Sequence, residues 1–108
     1  MNKVAVIVGS GGQDGTLLTS KLEFLNYSVI GLKRGDIDLL SSEKVTELIL
    51  NIQPDEVYYL AAYHHSSEDK VSNDVELFKR SIDVHAVSVI NFLDAILKHK
   101  NNCRFFYA

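Results

Sequence analysis

The chain has 108 residues, of which 46% are hydrophobic and 23% are charged, a composition typical of one small globular domain. Its formal net charge is −3, so its overall electrostatics suggest neither nucleic acid nor an anionic membrane as a partner. Cys103 is the only cysteine, which excludes an internal disulfide, and the apolar run near the N-terminus is too short to span a membrane. We therefore expect a cytoplasmic protein.

The predicted elements alternate between strand and helix along the whole chain. Short apolar, β-branched runs indicate the strands, and apolar residues repeated every three or four positions indicate the helices. In chain order we predict a strand at Lys3–Val8, a helix at Thr16–Asn26, a strand at Tyr27–Leu32, a helix at Glu43–Ile52, a strand at Asp55–Ala62, a helix at Asp74–Lys100 and a strand at Arg104–Tyr107. Ser41 and Ser42 are candidate caps of the second helix, and Pro54 follows its end.

This alternation predicts a Rossmann-like, doubly wound α/β fold. Such a fold has a parallel sheet, here of about four strands, with right-handed crossovers and helices on both faces. The expected spatial order is the second strand, the first, the third and the fourth. The point at which the strand order reverses then lies between the first and third strands, and ligands of such sheets bind there, at the carboxyl ends of the strands.

A glycine-rich turn joins the first strand to the first helix at this point. Gly9, Gly12 and Gly15 fit the pattern G-x-x-G-x-x-G. Such a turn lets backbone N–H groups and the positive end of a helix dipole approach a pyrophosphate, although glycines that only permit a tight turn are the alternative. A Walker-type phosphate loop is disfavoured, because no lysine precedes Thr16. The candidate cofactor-binding residues here are Gly9, Ser10, Gly12, Gln13, Asp14 and Gly15.

A basic pair, Lys33-Arg34, ends the second strand, where a protein that prefers NAD usually has an acidic residue. A cation at this place can pair with the 2′-phosphate of NADP, and Arg34 can do so bidentately. A solvated surface pair is the alternative, and Asp36 can still take the acidic role in a different register. We therefore expect NADP as the cofactor, with NAD as the less favoured choice.

Two further segments border the same end of the sheet. Asp38 and Leu39 precede the second helix. Either Asp38 serves the turn before the helix, or its carboxylate accepts from the adenine amino group with Leu39 against the ring. Leu60, Ala61 and Ala62 end the third strand, where small residues permit close approach of a cofactor or simply suit sheet packing.

No catalytic residue and no metal site is predicted. His64 and His65 are neighbours and point apart on an extended chain, which disfavours a metal site built from both. No serine has a base partner that its spacing identifies. Cys103, at the start of a strand, is expected to be a small buried apolar residue rather than a nucleophile.

These motifs resemble the extended short-chain dehydrogenase/reductase family, whose members include NAD-dependent epimerases and dehydratases. GSGGQDGTLL resembles the family's N-terminal fingerprint, and its GxxGQDG form resembles the GDP-mannose 4,6-dehydratases in particular. PDEVYYLAAYHHSS at Pro54–Ser67, SIDVHAVSVINFLDAI at Ser81–Ile96 and the final RFFYA resemble the strand, long helix and strand that follow in that family. The similarity covers nearly the whole chain.

The resemblance implies the NADP-binding part of a nucleotide-sugar lyase that oxidises C4 of a hexose, eliminates water and returns the hydride to C6. It assigns the pyrophosphate to Gly9–Gly15, the 2′-phosphate to Arg34, adenine to Asp38-Leu39, and the adenine-side ribose and pyrophosphate to Leu60–Ala62. The family's catalytic Ser/Thr, its Tyr-x-x-x-Lys pair and its nucleotide-sugar domain come after the position of Ala108. We therefore expect residues 1–108 to be a fragment, the N-terminal part of an NAD(P)-binding Rossmann domain without turnover of its own.

Two alternatives stay open. The short connection between Arg34 and Asp38 departs from the dehydratases and resembles the reductases of deoxysugar synthesis, so a reductase or an epimerase is the second reading. A non-catalytic module that binds NADP or a partner is the third. We also expect a homo-oligomer, because the fourth strand would lie at an exposed sheet edge, which favours pairing with another chain.

Overall fold

A computed structural model describes residues 2–33, 35–60, 75–76, 79 and 86–108 of the chain. Its strands and helices are β1 at Val4–Val8, α1 at Gln13–Phe24, β2 at Ser28–Leu32, α2 at Ser42–Ile52, β3 at Glu56–Tyr59, α3 at Ser88–His99 and β4 at Arg104–Tyr107. Within these described ranges, no helix combines the length and the apolar composition that crossing a membrane requires.

The four strands form one parallel sheet in the order β2-β1-β3-β4, which confirms the predicted doubly wound α/β fold and its strand order. Val6 of β1 lies between Ile30 of β2 and Val57 of β3. The residues Ala5–Val8 are at most 1% exposed, because β1 is central and covered on both faces. This explains why β1 reads as an unbroken apolar run rather than as an alternation.

Helices cover both faces of the sheet. On one face α2 and α3 pack over β1 and β3 and form the main core, whose buried residues are Val6, Val8, Val45, Ile49, Val57, Tyr59, Phe92, Ala95 and Ile96. On the other face α1 packs through Leu22 on Ala5 and Ile7. The carboxyl end of the sheet, where β1, β2 and β3 finish, lies between these two layers and carries the turns that lead into the helices.

The first helix begins at Gln13, three residues before the predicted start at Thr16. Gly12 is its N-cap, with φ −79° and ψ 175°, and the Thr16 N–H donates to the Gly12 carbonyl oxygen at 2.9 Å. The apolar periodicity begins only at Leu17, so it could not indicate the polar first turn. Asn26, the predicted last residue, lies outside the helix with a left-handed φ of 67°.

The second helix is capped at both ends. The Ser41 hydroxyl accepts from the Lys44 N–H at 3.3 Å, as the prediction of a serine cap requires. At the other end Gln53 takes a left-handed φ of 51°, and its side-chain amide donates to the His99 carbonyl oxygen at 3.3 Å. The last turns of α2 and α3 are therefore tied together.

The third strand and the third helix differ from the prediction in their extent, whereas β4 has the predicted bounds. β3 is shorter than the predicted strand and ends at Tyr59, although the Leu60 N–H still donates to the Val8 carbonyl oxygen at 2.8 Å. Of the long helix predicted at Asp74–Lys100, α3 is the described continuous part, and most of its first half and the preceding loop lie outside the described residues. β4 pairs with β3 at one edge of the sheet, and self-association there stays a prediction.

Candidate functional site

The glycine-rich turn after β1 is held to the end of β2 by its backbone. The N–H groups of Gly9 and Ser10 both donate to the Leu32 carbonyl oxygen, at 2.8 and 3.1 Å. Gly9 has a φ of 93°, a left-handed conformation that side chains disfavour. These contacts fix the turn at the carboxyl end of the sheet.

Gly15 is required by close packing within the fold. It is buried in the first turn of α1, and a Cβ at this position would lie 2.7 Å from the Ser10 Cα and closer still to the Gly9 carbonyl oxygen. A similar close approach occurs at Gly31 of β2, where a Cβ would lie 2.7 Å from the Ser10 hydroxyl oxygen. Glycine at 15 therefore lets the helix start directly against the turn.

Gly12 differs from Gly9 and Gly15, because nothing in the described fold requires a glycine there. Its φ of −79° suits any residue, and the nearest atom to a Cβ would be the Gly9 carbonyl oxygen at 3.8 Å, an ordinary van der Waals contact. The residue is exposed. The missing side chain thus leaves open the surface in front of the start of α1.

The first turn of α1 presents its backbone N–H groups at this opening. No side chain of the N-cap residue accepts from them, and the first intrahelical bond runs from Thr16 to Gly12. The N–H groups of Gln13, Asp14 and Gly15 therefore have no acceptor inside the helix. Together with the positive end of the helix dipole they can bind an anion. The exposed Asp14 carboxylate lies in the same turn, where negative charge stabilises the helix.

The connection after β2 closes into a tight turn beside the glycines. The Lys33 N–H donates to the Asp36 Oδ2 at 2.8 Å, and the Asp36 N–H donates to the Lys33 carbonyl oxygen at 3.1 Å. Gly35 within this turn has a φ of 93°. The aliphatic stem of Lys33 lies beside Gly11, where a Cβ would be 3.5 Å from the Lys33 Cγ. Arg34 lies outside the described residues.

The segment before α2 forms a second turn. The Asp38 Oδ1 accepts from the Leu40 N–H at 3.0 Å, and the Asp38 carbonyl oxygen accepts from the Ser41 N–H at 3.1 Å. Asp38 thus serves the turn, as one of the two readings predicts, while its Oδ2 accepts no hydrogen bond from the described part of the chain. The half-buried Leu39 side chain packs against the main core.

Asn91 of α3 is a contact of this turn that the sequence did not reveal. Its side-chain Nδ2 donates to the Leu39 carbonyl oxygen at 3.0 Å, across 52 positions of sequence. The available signal was an amide within the apolar run Ile90–Leu93, because asparagine is a poor residue for a helix interior unless it has a partner.

The remaining candidates lie at or beyond the end of β3. Leu60 is half-buried and packs against the residues under α1. Ala61, Ala62, His64 and His65 lie outside the described residues. The structure thus brings the glycine turn, Lys33, Asp38 and Leu60 to one end of the sheet.

Tyr58, Tyr59 and Cys103 are not activated for acid–base or nucleophilic chemistry near neutral pH. Burial raises the pKa of Tyr58 and of Tyr59, the opposite of what a general base near neutral pH requires. Burial also raises the pKa of the Cys103 thiol to about 11, and the side chain, which is half-buried rather than fully buried, packs against the main core. Among the described residues, no three His, Cys, Asp or Glu side chains are grouped to hold a metal ion.

Comparison with known proteins identifies the family. Residues 5–108 match the NAD dependent epimerase/dehydratase family. The chain belongs to this family. The resemblance carried by the glycine fingerprint and by the segment around β3 is thus confirmed.

Two family members illustrate the degree of similarity. The chain is 31% identical to a GDP-mannose 4,6-dehydratase of Vibrio cholerae over 87% of its own length and 31% of that protein. It is 30% identical to a GDP-mannose 4,6 dehydratase of Drosophila melanogaster over 99% of its own length and 33% of that protein. The chain spans about a third of the length of the curated relatives it matches. Both alignments, over 120 and 136 positions, are longer than the chain, so these relatives carry residues without a counterpart here.

Solved structures share the fold. The dTDP-4-dehydrorhamnose reductase of Bacillus anthracis in complex with NADP superimposes with a TM-score of 0.78 at 20% identity, over 97% of this chain and 35% of that one. The enzyme WbmH of Bordetella bronchiseptica in complex with NAD⁺ gives a TM-score of 0.76 at 21% identity, over 97% and 38%. At these identities the likeness shows that the fold is shared. It does not show a shared activity or cofactor.

Proposed function

We propose that this chain binds NADP at the carboxyl end of its sheet and forms the cofactor-binding part of a nucleotide-sugar dehydratase. The observation that carries the proposal is the contrast among the glycines. Gly9 and Gly15 are explained by backbone conformation and packing, whereas Gly12 is not. An absent side chain in front of helix N–H groups without intrahelical acceptors fits a ligand that approaches the backbone closely.

The pyrophosphate of the dinucleotide would lie against the first turn of α1. The N–H groups of Gln13, Asp14 and Gly15 would donate to its oxygens, and Gly12 would leave room for them. Ser10, whose side chain packs against Gly31, holds the turn in place. This arrangement binds and orients the cofactor and moves no proton.

The preference for NADP rests on the end of β2. Lys33 lies beside the glycine turn, and Arg34 follows it in sequence, so two cations are available for a 2′-phosphate. The Asp36 carboxylate already accepts the Lys33 N–H, which leaves it less free to bind the ribose hydroxyls of NAD. Structures of the same fold hold either NADP or NAD⁺, so the fold alone does not decide the preference.

The adenine would lie over the turn at Asp38 and Leu39. The Asp38 Oδ1 accepts from the Leu40 N–H, and its Oδ2 would accept from the adenine amino group. Only part of the Leu39 side chain is exposed to face a ring, because the rest packs against the main core. Leu60, Ala61 and Ala62, at the end of β3, would border the ribose and pyrophosphate.

The dehydratase assignment rests on similarity of sequence to relatives named GDP-mannose 4,6-dehydratase. Bound NADP would supply the hydride acceptor for oxidation at C4 of the hexose and the donor for its return to C6. The described residues would hold and orient the cofactor, and none of them is proposed as a general acid or base. We therefore expect no GDP-mannose turnover by the 108-residue chain.

A reductase of a nucleotide-linked deoxysugar is the second candidate. It is favoured by the short connection from β2 to α2, in which four residues separate Lys33 from Asp38. A GDP-mannoheptose C4 reductase of Campylobacter jejuni with NADP bound has the same fold, at a TM-score of 0.78 and 18% identity. Both candidates use the same cofactor site.

Calorimetric titration of the purified chain with NADPH and with NADH tests the cofactor site. We expect NADPH to bind at least tenfold more tightly, and a saturating concentration to raise the melting temperature by several degrees. Absence of heat and of a melting shift for both cofactors at millimolar concentration would refute the site.

A variant tests the origin of the preference. Arg34→Ala should weaken NADPH binding about tenfold and NADH binding little, because it removes a charge-assisted pair to the 2′-phosphate. Equal losses for the two cofactors would refute this role of Arg34 while leaving the site in place.

A further inference from the structure

Two side-chain amides join α2 and α3 at opposite ends. Near the carboxyl end of the sheet, the Asn91 Nδ2 donates to the Leu39 carbonyl oxygen at 3.0 Å, just before α2. At the far end, the Gln53 Nε2 donates to the His99 carbonyl oxygen at 3.3 Å. The acceptor in each case is a backbone carbonyl, so the side-chain nitrogen must face it. The two helices therefore lie side by side with a polar contact near each end.

The Asn91 contact acts on a turn whose other polar contacts, within the described part of the chain, are local. The Asp38 Oδ1 accepts from the Leu40 N–H, the Asp38 carbonyl oxygen from the Ser41 N–H, and the Ser41 hydroxyl from the Lys44 N–H. These bonds set the shape of the turn but not its place on the molecule. The Leu39 side chain packs against the main core, a contact without directional preference. Asn91 supplies the directional contact, because its amide meets a carbonyl in the middle of the turn.

We propose that Asn91 is a positioning residue for recognition of the adenine base. By holding the Leu39 carbonyl against α3, it fixes the orientation of the neighbouring Asp38, whose Oδ2 would accept from the adenine amino group. The inference rests on the proposed function, since it assumes that a dinucleotide binds at this end of the sheet. It goes further by assigning base selectivity to a helix residue that does not touch the base.

The two amides offer a matched pair of variants. Asn91→Leu removes the donor near Asp38, keeps the number and branching of the side-chain heavy atoms, and leaves the Leu39 carbonyl without this partner. Gln53→Met removes the donor at the far end and keeps the length of the side chain. Both variants lose an interhelical hydrogen bond, so both should lower the melting temperature, but only the first disturbs the turn at Asp38.

The test compares NADPH with its hypoxanthine analogue, which has a carbonyl oxygen in place of the 6-amino group of adenine. The wild-type chain should bind NADPH about tenfold more tightly than the analogue, because the analogue lacks the donor of one hydrogen bond to a carboxylate. Asn91→Leu should reduce this ratio to about twofold or less, while Gln53→Met should keep it. Binding is measured by calorimetry at a temperature well below the melting point of every variant. If Asn91→Leu does not fold, Asn91→Asp is used, because it keeps the shape and cannot donate when ionised.

The outcomes separate this inference from the proposed function. Binding of NADPH with the full tenfold ratio retained in the Asn91 variant would overturn the positioning role and leave the cofactor site intact. Equal binding of NADPH and the analogue by the wild-type chain would overturn recognition of the amino group by Asp38, and the inference with it. Binding of neither ligand by the wild-type chain would overturn the cofactor site itself. A ratio lost in Asn91→Leu and in Gln53→Met alike would mean a general loss of stability, which also contradicts the proposal.

Discussion

At the amino end of the sheet, where the strands begin, polar side chains are paired with one another. Glu56 is only 6% exposed, and its carboxylate accepts from the Tyr27 hydroxyl at 3.0 Å and from the Tyr58 hydroxyl at 2.7 Å. The Asp55 carboxylate accepts from the Val4 N–H at 2.8 Å. At the carboxyl end, by contrast, the first N–H groups of α1 have no acceptor in the helix, and Gly12 leaves the space before them open.

The difference separates residues that stabilise the fold from residues kept for a ligand. A buried carboxylate with two phenol donors is satisfied within the protein, so the amino end contributes to stability. Backbone donors left at an open helix start have their partners in solvent or in a ligand. Substitutions at the amino end should therefore change stability alone, and those at the carboxyl end should change cofactor affinity.

The largest effect on stability is expected at Gly15, which packs against the glycine turn and also belongs to the proposed cofactor site. Gly15→Ala places a Cβ 2.7 Å from the Ser10 Cα, so α1 must move away from the turn. We expect a loss of about 3 kcal/mol in the free energy of unfolding, at the upper end for an overpacked site. Urea unfolding measures it, and a loss below about 0.5 kcal/mol would contradict the close packing of the helix start.

Glu56→Ala should have the next largest effect, and on stability only. It removes the acceptor of two phenols, and the expected loss is about 2 kcal/mol of unfolding free energy, typical of hydrogen bonds to a charged group. NADPH affinity, measured by calorimetry below the melting temperature, should remain within twofold of that of the wild-type chain. A tenfold loss of affinity would mean that the two ends of the sheet are not separate in function.

Gly12→Ser should change stability and affinity in opposite directions. A Cβ fits at this position, and a serine at the N-cap can accept from the N–H groups of the first turn. The helix should gain a few tenths of a kcal/mol, while NADPH affinity should fall at least tenfold, because the serine occupies the donors and the space of the pyrophosphate. Urea unfolding and calorimetry on the same sample measure both quantities. Unchanged affinity would remove the main support for the cofactor site.

The smallest effect is expected in the unfolding free energy at alkaline pH. Burial, together with the hydrogen bond to Glu56, raises the pKa of Tyr58 above its usual value of about 10. The folded phenol then keeps its proton to a higher pH than the unfolded one, so its contribution is complete below pH 10 and is lost as the pH rises through the folded-state pKa. Tyr58→Phe should therefore flatten the decline of unfolding free energy above about pH 10. Equal slopes for the two proteins in urea unfolding would contradict this.

The order of elements was predictable because its signals are local. The unbroken apolar run of β1 requires cover on both faces, and the alternation of strands with amphipathic helices requires parallel crossovers. The spacing of the glycines likewise predicted a turn at the carboxyl end of the sheet, where the structure has it. The start of α1 was missed because Gln13 and Asp14 are polar and carry no periodicity.

The contacts that distinguish the two ends of the sheet were not predictable in this way. Tyr27 and Glu56 are 29 positions apart, and Asn91 and Leu39 are 52 apart. Each pair meets only through the register of the sheet or the packing of α2 on α3. Gly9, Gly12 and Gly15 look alike in sequence, and their different roles depend on backbone angles and on neighbouring atoms.

The two ends of the sheet are distinguished most directly by NMR. The backbone amide signals of the isotope-labelled chain are followed during titration with NADPH. We expect the largest shifts at residues 11–15 and in the turn at Asp38–Leu40. The amides at Asp55–Val57, at the amino end, should shift little. Shifts centred on the amino end, or no shifts at millimolar NADPH, would contradict a cofactor site at the glycine turn.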